Sequence, residues 1–164
     1  MAATLTLALA VATACAPLPS PGEQDPVPGR GIVAGVDVAP TGGCAATDPL
    51  PAGRSTLSIP SAQGPRRVVV DVPSSAAGGS PAPLLLSLHP FLVDGAGWEQ
   101  YAGLAQAAVE RGYVVITPDG SQPGPRWSVP GGLDLGVDDL AHLSNVTDHV
   151  EDRTCVDRAG CRRA

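Results

Sequence analysis

The chain has 164 residues, a formal net charge of −6 and a hydrophobic fraction of 43%, so one domain with a packed core is the expected organisation. All ten basic residues are arginine and acidic residues outnumber them. This balance excludes nucleic acid as a partner, because nothing would neutralise a row of phosphates.

Residues 1–15 have the pattern of an export signal. A short apolar stretch precedes Ala-Thr-Ala at positions 12–14, which has the small-residue form of a signal-peptide cleavage site. The stretch is too short to span a bilayer as a stable helix. Cys15 follows directly, and residues 11–15 resemble a bacterial lipobox, in which the cysteine receives a lipid. The sequence therefore predicts an exported protein, with Cys15 as a lipidation site and the membrane as a partner only through that lipid. The alternative is a plain secretory signal.

The next segment lacks the pattern of a folded element. Residues 16–51 are rich in Pro, Gly, Asp and Ala and show little periodicity, as is typical of a flexible linker. We expect a tether over residues 16–51 and a globular domain over residues 52–164.

Four cysteines on an exported chain make disulfides admissible. Four cysteines allow three pairings, and the sequence alone does not choose among them. We favour Cys44 with Cys155, which would join the segment before the first predicted strand to the end of the last predicted helix. If Cys15 carries a lipid, Cys161 is then left over.

The predicted domain begins with three strand patterns. Residues 55–59 form a short one, and residues 66–72 alternate in a way that places valines on one face. Residues 84–88 are a continuous apolar run bounded by prolines, which is typical of a strand buried on both faces.

A helix and a further strand follow. Residues 98–111 repeat apolar side chains at helical spacing, and Gly112 is suited to a helix C-cap. Residues 113–117 are another buried strand. A strand, a helix and a strand with short connections predict a right-handed crossover and hence a parallel sheet. The last helix is predicted over residues 136–153, and its apolar stripe consists of Leu140, Leu143, Val146 and Val150.

Charged groups on the last predicted helix allow two interpretations. His142 and His149 are seven residues apart, with Asp138 one turn before His142. This is not a recognised ligand spacing and the H-E-x-x-H pattern is absent, so we predict no metal site. Asp138 and Asp139 at the helix start are expected to cap it.

An ordered set of segments resembles one enzyme family. The segments are residues 86–91, 94–97, 112–120, Trp127, 137–140 and 155–157. Together they are similar to the secreted poly(3-hydroxybutyrate) depolymerases and feruloyl esterases, over about residues 43–157. The resemblance implies the N-terminal part of an α/β-hydrolase, with a mainly parallel sheet and flanking helices.

The resemblance also implies a site. In the family, the segment matching His89-Pro90-Phe91 supplies a backbone N–H that stabilises the oxyanion of a reacting ester, and Phe91 matches the donor. Pro90 replaces the usual glycine, and the alternative is that Pro90-Phe91 only ends a strand. His89 matches a structural histidine. Trp127 is expected to line the substrate groove or, alternatively, to cover the apolar edge of the sheet. The implied substrates are a small ester or a polyester, and we expect no cofactor.

The sequence contains no G-x-S-x-G, the turn that holds the nucleophile of such enzymes. We therefore expect a truncated, exported carboxylic-ester hydrolase that is inactive as given, ending before the nucleophile strand. Its strand at residues 113–117 would then have an open, apolar edge. The alternative is a non-catalytic cell-envelope lipoprotein that acts as a binding module.

Overall fold

The computed structural model describes residues 39–122, 125–128 and 135–159. The chain divides into two compact units, Met1–Gly35 and Val36–Ala164, and all the described residues belong to the second. The predicted export signal, Cys15 and Cys161 lie outside the described residues, as do residues 16–38 of the predicted tether.

The predicted strands are present in the predicted order, β2 with the predicted bounds and the other strands with different ones. The strands are β1 (Gly53–Ile59), β2 (Arg66–Val72), β3 (Leu84–Leu86) and β4 (Val114–Pro118). The α-helices are α1 (Ser74–Ala77), α2 (Gly95–Ala102), α3 (Leu104–Glu110) and α4 (Asp139–Glu151), and a 3-10 helix covers Gly42–Ala45.

The four strands form one mixed sheet in the order β1-β2-β4-β3. Only β3 and β4 are parallel, whereas β2 runs antiparallel to both β1 and β4. The prediction of a mainly parallel sheet is therefore wrong for the described strands. The reason is local, because the six residues between β1 and β2 are too few for a crossover and force a hairpin. The predicted parallel crossover from β3 to β4 is present.

The sheet is centred on β4 instead of ending at it. All five residues of β4 are buried, and the strand is paired on both sides. The expectation of an open edge along residues 113–117 is thus wrong. Among the described strands the edges are β1 and β3. The three leucines of β3 are only half-buried, so the prediction that β3 is buried on both faces is wrong.

The single helix predicted over residues 98–111 is divided in two. Gly103 has a positive φ of 60° and ends α2, and α3 begins at the next residue. Glycine adopts this left-handed conformation without the steric penalty that a Cβ would bring. The interruption turns Tyr101 outwards, where it is 85% exposed, although the periodicity had placed it on the apolar face.

The core lies between the sheet and α4. Val146 and Val150 of the helix pack with valines of β2 and with Val114 and Ile116 of β4. Leu140, predicted to lie in the apolar stripe, is 66% exposed. The buried residues of α4 also include Asp139, His142 and Glu151, so three polar side chains are buried on a helix for which the pattern predicted an apolar stripe.

Residues 39–51, which were assigned to the tether, pack against the end of α4. The Thr41 N–H donates to the Val156 carbonyl over 2.9 Å, and the Leu50 N–H donates to the Arg153 carbonyl over 2.8 Å. Leu50 is buried in the main core. The folded part of the chain thus starts before the predicted boundary at residue 51.

The predicted disulfide between Cys44 and Cys155 is confirmed. It joins residues 111 positions apart and links the 3-10 helix to the segment after α4. Closing so long a loop restricts the unfolded chain, and such a bond typically contributes about 2–5 kcal/mol.

We predict that replacing both cysteines, in the variant Cys44→Ser/Cys155→Ser, lowers the free energy of unfolding by about 2–5 kcal/mol. Urea unfolding followed by circular dichroism measures this difference. The wild-type protein in reducing buffer is the control and should match the variant. Equal stability of the oxidised wild type and the variant would contradict the prediction.

Candidate active site

The parallel pairing of β3 and β4 brings two loops to the same edge of the sheet. One loop follows β3 and contains His89, Pro90 and Phe91, and the other follows β4 and leads to Trp127. Crevices at the carboxyl ends of parallel strands are the usual ligand sites of α/β sheets. The residues that the sequence singled out are therefore gathered where a ligand site is expected.

His89 is a structural link between the two loops. Its side chain is only 2% exposed, and its Nε2 accepts a hydrogen bond from the Gly120 N–H over 2.8 Å. Because Nε2 accepts, the ring proton belongs on Nδ1, which lies 2.9 Å from the Pro90 carbonyl oxygen. With both nitrogens bound to the backbone, the ring has no free atom with which to take a proton from a nucleophile.

Trp127 packs against this histidine. The two ring centroids are 4.9 Å apart, and the indole N–H donates to the His89 carbonyl over 3.0 Å. In addition, the Leu92 N–H donates to the Pro125 carbonyl over 2.9 Å. These bonds fasten the Trp127 segment, residues 125–128, beside the loop that carries Phe91.

The backbone N–H of Phe91 makes no hydrogen bond with any residue in the described part of the chain, and Phe91 is 58% exposed. The next residue, Leu92, has a φ of 64°, which is rare for a branched side chain and costs of order 1–3 kcal/mol. Strain of this kind persists only where the surrounding structure holds it in place, and it clusters at ligand sites.

A charged cluster fixes the far end of the Phe91 loop. Arg67 donates to Asp119 over 3.0 Å and to Asp94 over 2.9 Å. Asp119 also accepts from the Gly95 N–H, and Asp94 caps α2 by accepting from the Gly97 N–H. This Gly97 bond, followed by the interaction with Arg67, lowers the pKa of Asp94. The Asp94 cap could be found from the sequence, but the role of Arg67 could not.

Glu99 forms a second, fully buried cluster that the sequence did not reveal. One carboxylate oxygen accepts from Ser87 over 2.9 Å and from Thr117 over 2.8 Å, and the other accepts from the Ala105 N–H. The carboxylate thereby joins β3, β4, α2 and α3. Ser87 is 3% exposed and its hydroxyl donates to Glu99, so it is not available as a nucleophile.

The start of α4 carries a buried ion pair. Asp138 caps the helix as predicted, by accepting from the Ala141 N–H. Asp139, which was also expected to cap, accepts instead from the Arg66 guanidinium and from the Ser128 N–H. Both members of the pair are almost completely buried.

His142 lies one turn after Asp139 and is 4% exposed. Neither ring nitrogen has a hydrogen-bond partner among the described residues. The ring lines a cavity of about 300 Å³ together with Ser61, Gln63, Arg66, Asp138 and Asn145. Burial, and then the nearby Arg66 charge, lower the pKa of His142. Within residues 39–122, 125–128 and 135–159, no group of three potential ligands could hold a metal ion.

No protein-family model matches the chain. Over 94 residues the chain is 34% identical to a feruloyl esterase B from Piromyces equi, and this stretch covers 56% of the chain and 17% of that protein. The chain therefore spans less than a fifth of the length of the curated relative that it matches. The similarity supports a distant esterase-like relationship.

We predict that Gly120→Ala displaces the Trp127 segment. A Cβ at Gly120 would lie 2.2 Å from the Arg126 carbonyl oxygen, so the backbone must shift, at a cost of about 1–3 kcal/mol. Urea unfolding measures the loss of stability, and tryptophan emission reports the displacement of the Trp127 segment. Gly42→Ala is the matched control, because a Cβ there meets nothing within 4 Å. Equal effects of the two substitutions would refute the prediction.

We further predict that His142 makes the stability of the protein depend on pH. Since the folded-state pKa is lowered, the unfolded chain binds the proton first as the pH falls below about 6.5. The wild type should therefore lose stability relative to His142→Gln between about pH 7 and 5, by at most about 1.4 kcal/mol for each unit that separates the two pKa values. Urea unfolding at a series of pH values measures the difference.

The control for this experiment is Leu140→Gln, an exposed position on the same helix. It should keep the pH dependence of the wild type. A stability difference between wild type and His142→Gln that does not change with pH would show that His142 is not the group responsible.

Proposed function

We propose that residues 43–157 form the oxyanion-binding side of a carboxylic-ester hydrolase with an α/β-hydrolase fold, related to feruloyl esterases and poly(3-hydroxybutyrate) depolymerases. The observation that carries the proposal is the Phe91 N–H in the loop after β3, near Trp127, which makes no hydrogen bond with any described residue. The partial similarity to a feruloyl esterase B supports the same chemistry.

The position of Phe91 suits this role. In α/β-hydrolases one oxyanion donor is an N–H of the loop between the third strand and the first main helix, and Phe91 lies between β3 and α2. When an ester is attacked, its carbonyl oxygen gains negative charge, and a fixed N–H directed at that oxygen lowers the barrier. Pro90 has no N–H, and the resemblance to the esterase family assigns the donor role to the next residue, Phe91.

Apolar side chains near this donor suit an ester substrate. Leu88, Phe91 and Leu92 are exposed large hydrophobic residues of the same loop, and Trp127 is held next to it. An aromatic or aliphatic acyl group could be covered by these side chains while the carbonyl oxygen meets the Phe91 N–H. We infer a small ester or a polyester as substrate, with no cofactor required by the reaction.

We infer that these 164 residues do not include the nucleophile. The 164 residues contain no G-x-S-x-G. Ser87 is buried and its hydroxyl donates to Glu99. His89 is bound to the backbone through both ring nitrogens. We therefore propose that these residues do not hydrolyse esters on their own. A non-catalytic binding module would use the same apolar surface, without hydrolysis.

We also propose that the protein is exported, with Cys15 as a lipid attachment site. The Cys44–Cys155 disulfide is consistent with an oxidising compartment. Among the helices of the described residues, none has the length and apolar character needed to cross a bilayer.

We predict that the 164-residue chain hydrolyses p-nitrophenyl acetate and methyl ferulate no faster than buffer, because it lacks the nucleophile turn. Release of p-nitrophenol and of ferulate, followed by absorbance, measures this, with a known feruloyl esterase as the positive control. Hydrolysis at an enzymatic rate by the purified chain would overturn the proposed inactivity.

Sequencing the transcript beyond codon 164 tests the hydrolase proposal itself. If a G-x-S-x-G is encoded shortly downstream, in any frame, the protein expressed in that frame should hydrolyse both esters. There Phe91→Pro, which removes the N–H, should lower kcat by about 10²–10³-fold. Phe91→Ala, which keeps the N–H, is the matched control. Absence of the motif, or equal activity of the two variants, would contradict the proposal.

A further inference from the structure

The Asp139 carboxylate ties together three parts of the fold. It belongs to the first turn of α4, and its two oxygens accept from the Arg66 guanidinium of β2 and from the Ser128 N–H. Ser128 is the neighbour of Trp127. A buried carboxylate that accepts hydrogen bonds on both oxygens is strongly fixed, because losing either bond would leave a buried polar group unpaired.

The bond from Ser128 to Asp139 is connected to the candidate active site through the neighbouring Trp127. Trp127 donates to the His89 carbonyl, and the His89 ring accepts from the Gly120 N–H. The Trp127 segment is thus bonded both to the Phe91 loop and to Asp139. It is also held by the Ser121 N–H, which donates to the Arg126 carbonyl over 2.9 Å, and by the Leu135 N–H, which donates to the Ser128 hydroxyl over 3.2 Å. Removing the Asp139 bond would take away one of the bonds at the Ser128 end of the segment.

His142 is placed to disturb this arrangement. Three charged groups surround its ring: Arg66 from β2, Asp139 one turn earlier on α4, and Asp138 at the rim of the shared cavity. The turn at residues 60–63, which packs on the other side of the cavity, contributes no titratable group. A proton on His142 would place a second buried cation beside Arg66 and compete for the Asp139 carboxylate.

We propose that Asp139 is the positioning residue of Trp127, and that protonation of His142 loosens the Trp127 segment by drawing Asp139 away from Ser128. The importance of this for catalysis rests on the proposed function, in which Trp127 lines the substrate groove. The structural event itself is independent of any substrate. The candidate site would then be ordered at neutral pH and disordered in mild acid.

Trp127 fluorescence tests the proposal without a substrate. The chain has two tryptophans, so Trp98→Phe leaves Trp127 as the only indole reporter. In this background, we expect the Trp127 emission to shift to longer wavelength and its anisotropy to fall as the pH is lowered from 8 to 5. The midpoint should lie below about 6.5, the ordinary pKa of histidine. Far-UV circular dichroism should stay constant over this range.

Two pairs of variants locate the cause. His142→Gln should abolish the transition and His149→Gln should keep it. Asp139→Asn should show the acid-type emission already at pH 8, whereas the neighbouring cap variant Asp138→Asn should not.

Three results would overturn the proposal: a transition that survives in His142→Gln, no transition in the Trp98→Phe background, or loss of helical signal over the same pH range. The first result is also the one expected if His89, which contacts Trp127 directly, were the group that takes the proton. If Asp139→Asn fails to fold, the comparison of His142→Gln with the Trp98→Phe background still tests the proposal. Since no ester is used, failure here leaves the proposed hydrolase function standing, and failure of the ester assays leaves this inference standing.

Discussion

The pairing of β4 with β2 on one side and β3 on the other is the constraint on which the described structure depends. All five residues of β4 are buried, and its parallel register with β3 places Leu86 opposite Ile116. The two chain segments that leave these strands must therefore emerge side by side. The residues of the candidate active site lie at that shared edge of the sheet, where His89 and Trp127 come into contact.

Polar groups then fix what the strands bring together. Glu99 joins β3 and β4 to the helices that cover them, Arg67 joins the ends of two loops through Asp94 and Asp119, and Asp139 joins α4 to β2 and to Ser128. Each carboxylate accepts from backbone N–H groups as well as from side chains. The Glu99 and Asp139 networks are buried, and they specify one arrangement of loops because another arrangement would leave a buried oxygen unpaired.

The sequence predicted the elements better than their arrangement. Strand positions followed from apolar runs and bounding prolines, and the Cys44–Cys155 pair was confirmed. Helical periodicity, however, treats residues 98–111 as continuous and does not detect that Gly103 adopts a positive φ. Strand order depends on contacts between residues far apart in the chain. For this reason neither the central position of β4 nor the antiparallel direction of β2 could be read from local pattern.

The candidate site shows the same limit at single residues. A resemblance drew attention to Phe91 and Trp127, yet the groups that position them, Arg67 and Asp139, looked like ordinary surface charge or a helix cap. Pro90 illustrates why local chemistry still constrains the outcome. It lacks an N–H and restricts His89 to extended backbone. The His89 carbonyl accepts from the Trp127 indole and the ring accepts from Gly120. These tertiary bonds hold the loop in one conformation, in which the Phe91 N–H makes no hydrogen bond with any described residue.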